Sequence, residues 1–139
     1  MYFHNITGMN STKKSDSDFV LNFKAESKGV DHEIYNISIQ FYYKEVDFIK
    51  EFISKHVNGY TLKLSSRLIT RSVENYRSDQ FRSPLKLYID KDNGLLVMEV
   101  MEYACNSNGV LLHPLFKLPC CIYFDSESEV NLFNSLLEK

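Results

Sequence analysis

The chain has 139 residues, 44% of them hydrophobic and 24% charged, and a formal net charge of −2. That length suffices for one continuous core without metal or disulfide staples, and that composition excludes intrinsic disorder. No run approaches the ~20 apolar residues of a membrane-spanning helix.

A single α+β domain over residues 1–139 is expected. The opening, MYFHNITGMNSTKKSDSD, lacks the basic-then-apolar order of a secretory signal, which points to the cytoplasm. Cys105, Cys120 and Cys121 are odd in number and lack the spacing of a secreted disulfide framework, so they read as reduced, mostly buried thiols.

Residues 2–7 read as an edge strand, and 8–18, GMNSTKKSDSD, as a flexible loop or arm because they carry almost no apolar side chains. FVLNFKA (19–25) and IYNISIQFYY (34–43) are rich in β-branched and aromatic residues, and Gly29 lies between them, which predicts an antiparallel pair. Over 45–56, Val46, Ile49, Phe52 and Ile53 fall on one helical face, and Gly59 is the stop signal. YTLKLS (60–65) alternates as a strand. From residue 66 a strand would segregate its side chains poorly, so helix or irregular structure is expected there.

PLKLYIDKDNGLLVMEVMEYA (84–104) is a hairpin whose Asn93-Gly94 suits a two-residue turn with positive φ at both centres. That register sets Asp92 opposite Leu95, Ile89 opposite Met98, Leu87 opposite Val100 and Tyr88 opposite Glu99, with Glu102 near the end of the apolar face. Further strand is expected between Val110 and Phe124, bent by Pro114 and Pro119. A helix over 126–138 opens on Ser126 and Glu129 in capping-box spacing and places Val130, Phe133, Leu136 and Leu137 on one face. The predicted architecture is a mainly antiparallel sheet with both amphipathic helices packed on one face.

All five glycines stand alone, so no phosphate-cradling loop is present, and no nucleophile elbow or paired Cys-x-x-Cys occurs. His113, Cys120 and Cys121 are soft ligands in principle. However, adjacent strand residues face opposite ways, and no metal or other cofactor is expected. His4, His32 and His56 sit among polar residues and read as solvated.

All four arginines, Arg67, Arg71, Arg77 and Arg82, lie within sixteen positions. Residues 60–88 carry six Lys/Arg against two Asp/Glu, whereas residues 89–139 carry eight Asp/Glu against three Lys/Arg. The basic block supports one reading, a small nucleic-acid-binding regulator. The acidic block supports another, a surface for a cationic protein partner. An enzyme with its groups dispersed in sequence is a third, because catalytic sets are recognised by geometry.

A small, acidic, Tyr/Phe-rich chain with the acidic turn DKDN, Glu99 and Glu102, and the stretch DSESE resembles the immunity proteins of bacterial toxin systems, including those of contact-dependent growth inhibition. The resemblance implies a non-enzymatic module that binds one cognate protein, a toxin domain and often a nuclease, and covers its active site or a neighbouring surface. Asp90, Asp92, Glu99 and Glu102 are the acidic candidates for that contact, and Arg67, Arg71, Arg77 and Arg82 are the possible anchors of a mixed-charge interface.

Overall fold

A computed structural model describes residues 2–28, 33–56, 59–73, 76–79, 84–103 and 117–137, except for the side chains of 65–84 and 100–120. The elements follow in the order β1 (Tyr2–Lys13), β2 (Asp18–Lys28), β3 (Ile34–Tyr42), α1 (Val46–Lys55), β4 (Leu62–Val73), β5 (Tyr76–Asp79), β6 (Pro84–Ile89), β7 (Leu96–Tyr103), β8 (Lys117–Phe124) and α2 (Glu127–Leu136). A single 3-10 turn, Tyr43–Glu45, leads from β3 into α1.

The strands form one sheet in the order β3-β2-β1-β8-β7-β6-β4-β5, and β3 pairs again with β4. Seven strands therefore close into a ring, while β5 continues the line of β6 along β4. Closure gives each ring strand a neighbour on both sides over at least part of its length. The fold is α+β as expected, but the sheet is mixed: β1 runs parallel to β8, and every other ladder is antiparallel.

Alternation decides which side chains fill the ring. Phe19, Leu21, Phe23 and Ala25 on β2, Ile37, Ile39 and Phe41 on β3, and Leu85, Leu87 and Ile89 on β6 are buried in one core with Leu96, Met98, Ile122 and Phe124. The intervening residues of β1–β3 make a polar outer ladder, in which Ser38 donates to Asn22 at 2.7 Å and the Asn22 amide reaches Asn10 and Thr12. This is the period-two pattern of a half-buried strand.

Of the loop or arm expected over 8–18, residues 14–17 form the β1–β2 connection, but residues 8–13 are strand, and β1 lies between β2 and β8 rather than at an edge. The cause is a pair of bulges: the β1–β2 register shifts between His4 and Thr7 and again between Thr7 and Asn10. Each shift inserts one residue, and Asn5 (φ 52°) and Gly8 (φ 60°) take the left-handed conformations that such insertions use. Inward positions consequently fall at Phe3, Ile6 and Met9, three residues apart.

β4 is a second correction. Residues 66–73, expected as helix or irregular, continue the strand, with Arg67 opposite Gln40, Arg71 opposite Ile37 and Thr70 opposite Asp79. Ladders on both sides satisfy its backbone, and that pairing outweighs the poor segregation of its side chains.

Both helices turn their apolar stripes to the same core, α1 with Val46, Ile49 and Phe52 and α2 with Phe133 and Leu137. α1 ends before Gly59, at His56, whose φ of 47° lets its N–H bond the carbonyls of Phe52 and Ile53. α2 starts with the expected capping box: Ser126 Oγ accepts the Glu129 N–H, and the Glu129 carboxylate accepts the Ser126 N–H at 2.9 Å. Ring contacts Phe41–Phe133 (5.9 Å) and Phe124–Phe133 (5.1 Å) fix α2 across the mouth of the ring.

The β6–β7 hairpin is present with a longer turn than Asn-Gly alone suggests. Asp90 pairs with Leu95 around a turn over 91–94, the Gly94 N–H bonds the Asp90 carbonyl at 2.8 Å, and Ile89 faces Leu96. The ladder is offset by two residues from the expected one, so Tyr88 faces Val97 and Lys86 faces Glu99. A two-residue offset leaves every side chain on its expected face. Gly94 has φ 71°, and Gly94→Ala is expected to cost about 1 kcal/mol in urea denaturation through backbone strain.

Candidate functional site

β3, β6 and β8 all end, and β4 begins, at one rim of the ring, and both helices leave the sheet there. Between α1, α2 and the β6–β7 turn lies a cleft of about 540 Å³. Its floor is apolar, with Ile53, Ile89, Leu96, Phe124 and Val130, and its walls carry Lys50 and His56 from α1 and Asn131 and Asn134 from α2. Asp125, Ser126 and Glu127 line one end, and Gly94 and Leu95 line another. Two shallower depressions continue it past Gly59, Tyr60, Asp90 and Lys91, sharing His56, Ile89 and Gly94 with the cleft.

The acidic side chains have different duties here. Asp90 Oδ1 accepts the Asp92 N–H at 2.8 Å, which stiffens the turn and leaves Asp92 exposed. Asp125 accepts from His4 Nδ1 at 2.7 Å and from the Asn5 N–H at 2.8 Å. Glu129 accepts from the Ile6 N–H at 2.8 Å. Glu127 is exposed at the rim, where the start of α2 favours a carboxylate. Tyr60, 56% exposed, lines one of the shallower depressions as a large aromatic in solvent.

A second cluster occupies the outer face of β6, β7 and β8: Val97, Cys121 and Tyr123 are buried, with Tyr88 and Leu95 packed against them. Glu99 Oε1 accepts two bonds, from Tyr88 Oη at 3.1 Å and from Cys121 Sγ at 3.3 Å. Burial, and then the Glu99 carboxylate, push the Cys121 thiol up to about 12. Burial, then the neighbouring Cys121, push the Tyr123 phenol up to about 12 as well. Tyr88 is raised further by burial, with Cys121 and Glu99 contributing next. A thiol held protonated in this way is a poor nucleophile at neutral pH. His4, expected to be solvated, stacks on Tyr123 at 4.6 Å between ring centroids, with 3° between the planes, while its Nδ1 bonds Asp125.

Of the residues singled out from the sequence, Asp90 and Asp92 lie on the turn beside the cleft, while Glu99 sits on the outer wall behind it. Glu102 faces Leu118 on β7. Arg67 and Arg71 are on β4 and Arg77 is on β5, paired to other strands of the ring. The side chains of these four residues lie outside the described set, as do Arg82, Cys105 and His113 altogether. Among the described residues no three of His, Cys, Asp and Glu are placed to hold a metal ion, and no helix is long and apolar enough to cross a membrane.

Sequence reading missed the tie between β1 and the start of α2. His4 and Asp125 are 121 residues apart, and their contact depends on a parallel seam that no local pattern announces. The capping-box spacing of Ser126 and Glu129 was the one visible trace of it. No protein-family model, curated protein or solved structure matches this chain.

Proposed function

We propose that this chain is a non-enzymatic binding module for a single protein partner, acting as an immunity or inhibitor protein that covers a toxin's active site or an adjacent surface. The observation that carries the reading is that Asp125 and Glu127 line the cleft between the helices while Asp90 lines the depressions adjoining it. Glu127 lines the cleft above an apolar floor, and the adjoining depressions carry Lys91 and the exposed Tyr60, with Asp92 exposed on the same turn. Aromatic anchors in a polar, charged surround are the usual makeup of a protein-binding surface. The outer-wall thiol and phenols stay protonated at neutral pH, which favours recognition over covalent chemistry.

Isolation of the tagged chain from its native cell is expected to return one stoichiometric protein. Reversing both rim charges, with Asp92→Lys and Glu127→Lys, is expected to slow association with that protein about tenfold and to alter its salt dependence, since rim charges act mainly on the encounter rate. Repeated isolation without a stoichiometric protein rejects the reading.

A nucleic-acid-binding regulator is the second reading. It is favoured by the placement of Arg67, Arg71 and Arg77 on the adjoining strands β4 and β5. It predicts retention of DNA or RNA at low salt, with the logarithm of affinity falling linearly with the logarithm of salt concentration.

A further inference from the structure

The seam between β1 and β8 has only two residue pairs, Tyr2 with Cys121 and Phe3 with Ile122. β8 then ends at Phe124, while β1 continues to Lys13 beside α2. Three donors of β1 that meet no strand beyond this point turn instead to carboxylates at the start of the helix. His4 Nδ1 and the Asn5 N–H bond the two oxygens of Asp125, and the Ile6 N–H bonds Glu129 Oε1. The left-handed Asn5 aims these groups at the helix rather than along the sheet.

Glu129 is the joint of this arrangement. Its Oε1 holds the strand, and its Oε2 accepts the Ser126 N–H that starts α2. One side chain thus ties β1 to the start of α2 and caps the helix. α2 is also a wall of the cleft, joined to β8 through only Asp125 and Ser126.

We propose that the first turn of α2 is a hinged wall of the cleft, latched to β1 by Glu129 and Asp125 while Phe133 and Leu137 stay seated in the core, and that release of this latch widens the cleft at its Asp125–Glu127 end. The device stands on these contacts alone and does not depend on what the cleft binds. A ligand that preferred either position of α2 would shift the balance between them.

Amide hydrogen exchange of the full chain, followed by NMR, tests it. The Asn5 and Ile6 amides and those of the first turn of α2 are expected to exchange as one group, through an opening smaller than global unfolding. Glu129→Gln is expected to speed the whole group about tenfold, as the loss of one charge-assisted bond implies, and to leave Leu21 and Ile39 unchanged. The methyl groups of Ile53 and Val130, on the two walls, should show enlarged relaxation dispersion in the same variant. Ser126→Ala leaves Glu129 on Ile6 and should speed the helix amides more than that of Ile6. Should Glu129→Gln fail to fold, Asp125→Asn is expected to speed the same group from the other fastening. Exchange of the group only through global unfolding, or a response in α2 with none at Asn5 and Ile6, overturns the proposal.

Discussion

Replacing Phe133 with alanine is expected to destabilise the chain by about 3–5 kcal/mol, read as a fall in the midpoint of urea denaturation. Phe133 is fully buried and is the one residue of α2 whose ring meets both Phe41 of β3 and Phe124 of β8. Truncation removes the apolar surface of the ring and leaves a void between two aromatic neighbours that belong to a closed sheet. Such a sheet collapses poorly around a hole, because each strand is held from both sides. The penalty is therefore expected in the upper part of the range for Phe→Ala. A loss below about 1 kcal/mol would mean that α2 is not packed across the mouth as described.

The second large effect is expected at high pH. Cys121 and Tyr123 are each pushed up to about 12 and Tyr88 is raised too, in each case mainly by burial. In the unfolded chain these groups ionise at their ordinary values, 9.0 for the thiol and 10.0 for the phenols. The folded state thus favours the neutral forms. Its advantage is complete below about pH 9 and is lost as pH rises towards about 12, where the folded groups ionise. By pH 11 the thiol alone is expected to have removed about 2–3 kcal/mol. Urea denaturation across this window should show the loss, and Cys121→Ala should remove the thiol's share of the slope. A midpoint constant to pH 11 in the original chain would contradict the buried Glu99–Cys121–Tyr88 contact.

Much of the fold was legible wherever side chains repeat at a regular interval. α1 and α2 were visible because Val46, Ile49 and Phe52, and Val130, Phe133 and Leu137, fall at helical spacing and pack as that spacing requires. β2, β3 and the β6–β7 hairpin were visible because alternation and burial agree. The second half of β1 was hidden because its two bulges stretch the inward spacing to three residues, so that a mostly exposed strand reads as polar loop.

The arginine-rich half of β4 was hidden for a different reason. Its place is set by β3, a partner distant in sequence on which local composition is silent, and by β5, which follows it directly in the chain. The candidate site follows the same division. Two acidic stretches could be seen, but their placement at the cleft and at the depressions adjoining it could not, and neither could the division of labour that leaves Asp125 and Glu129 holding β1 while Glu127 faces solvent.

The ring of seven strands has a consequence for how the chain is made. Tyr2 finds its partner only when Cys121 has been synthesised, and β3 waits for β4, so the circle cannot be sealed until β8 has left the ribosome. Until then the β1–β3 meander presents two raw borders to the cell. Assembly should be slow, governed by long-range encounters, with the final seam a late event. Nascent chains shortened before β8 are accordingly expected to associate with one another along those borders.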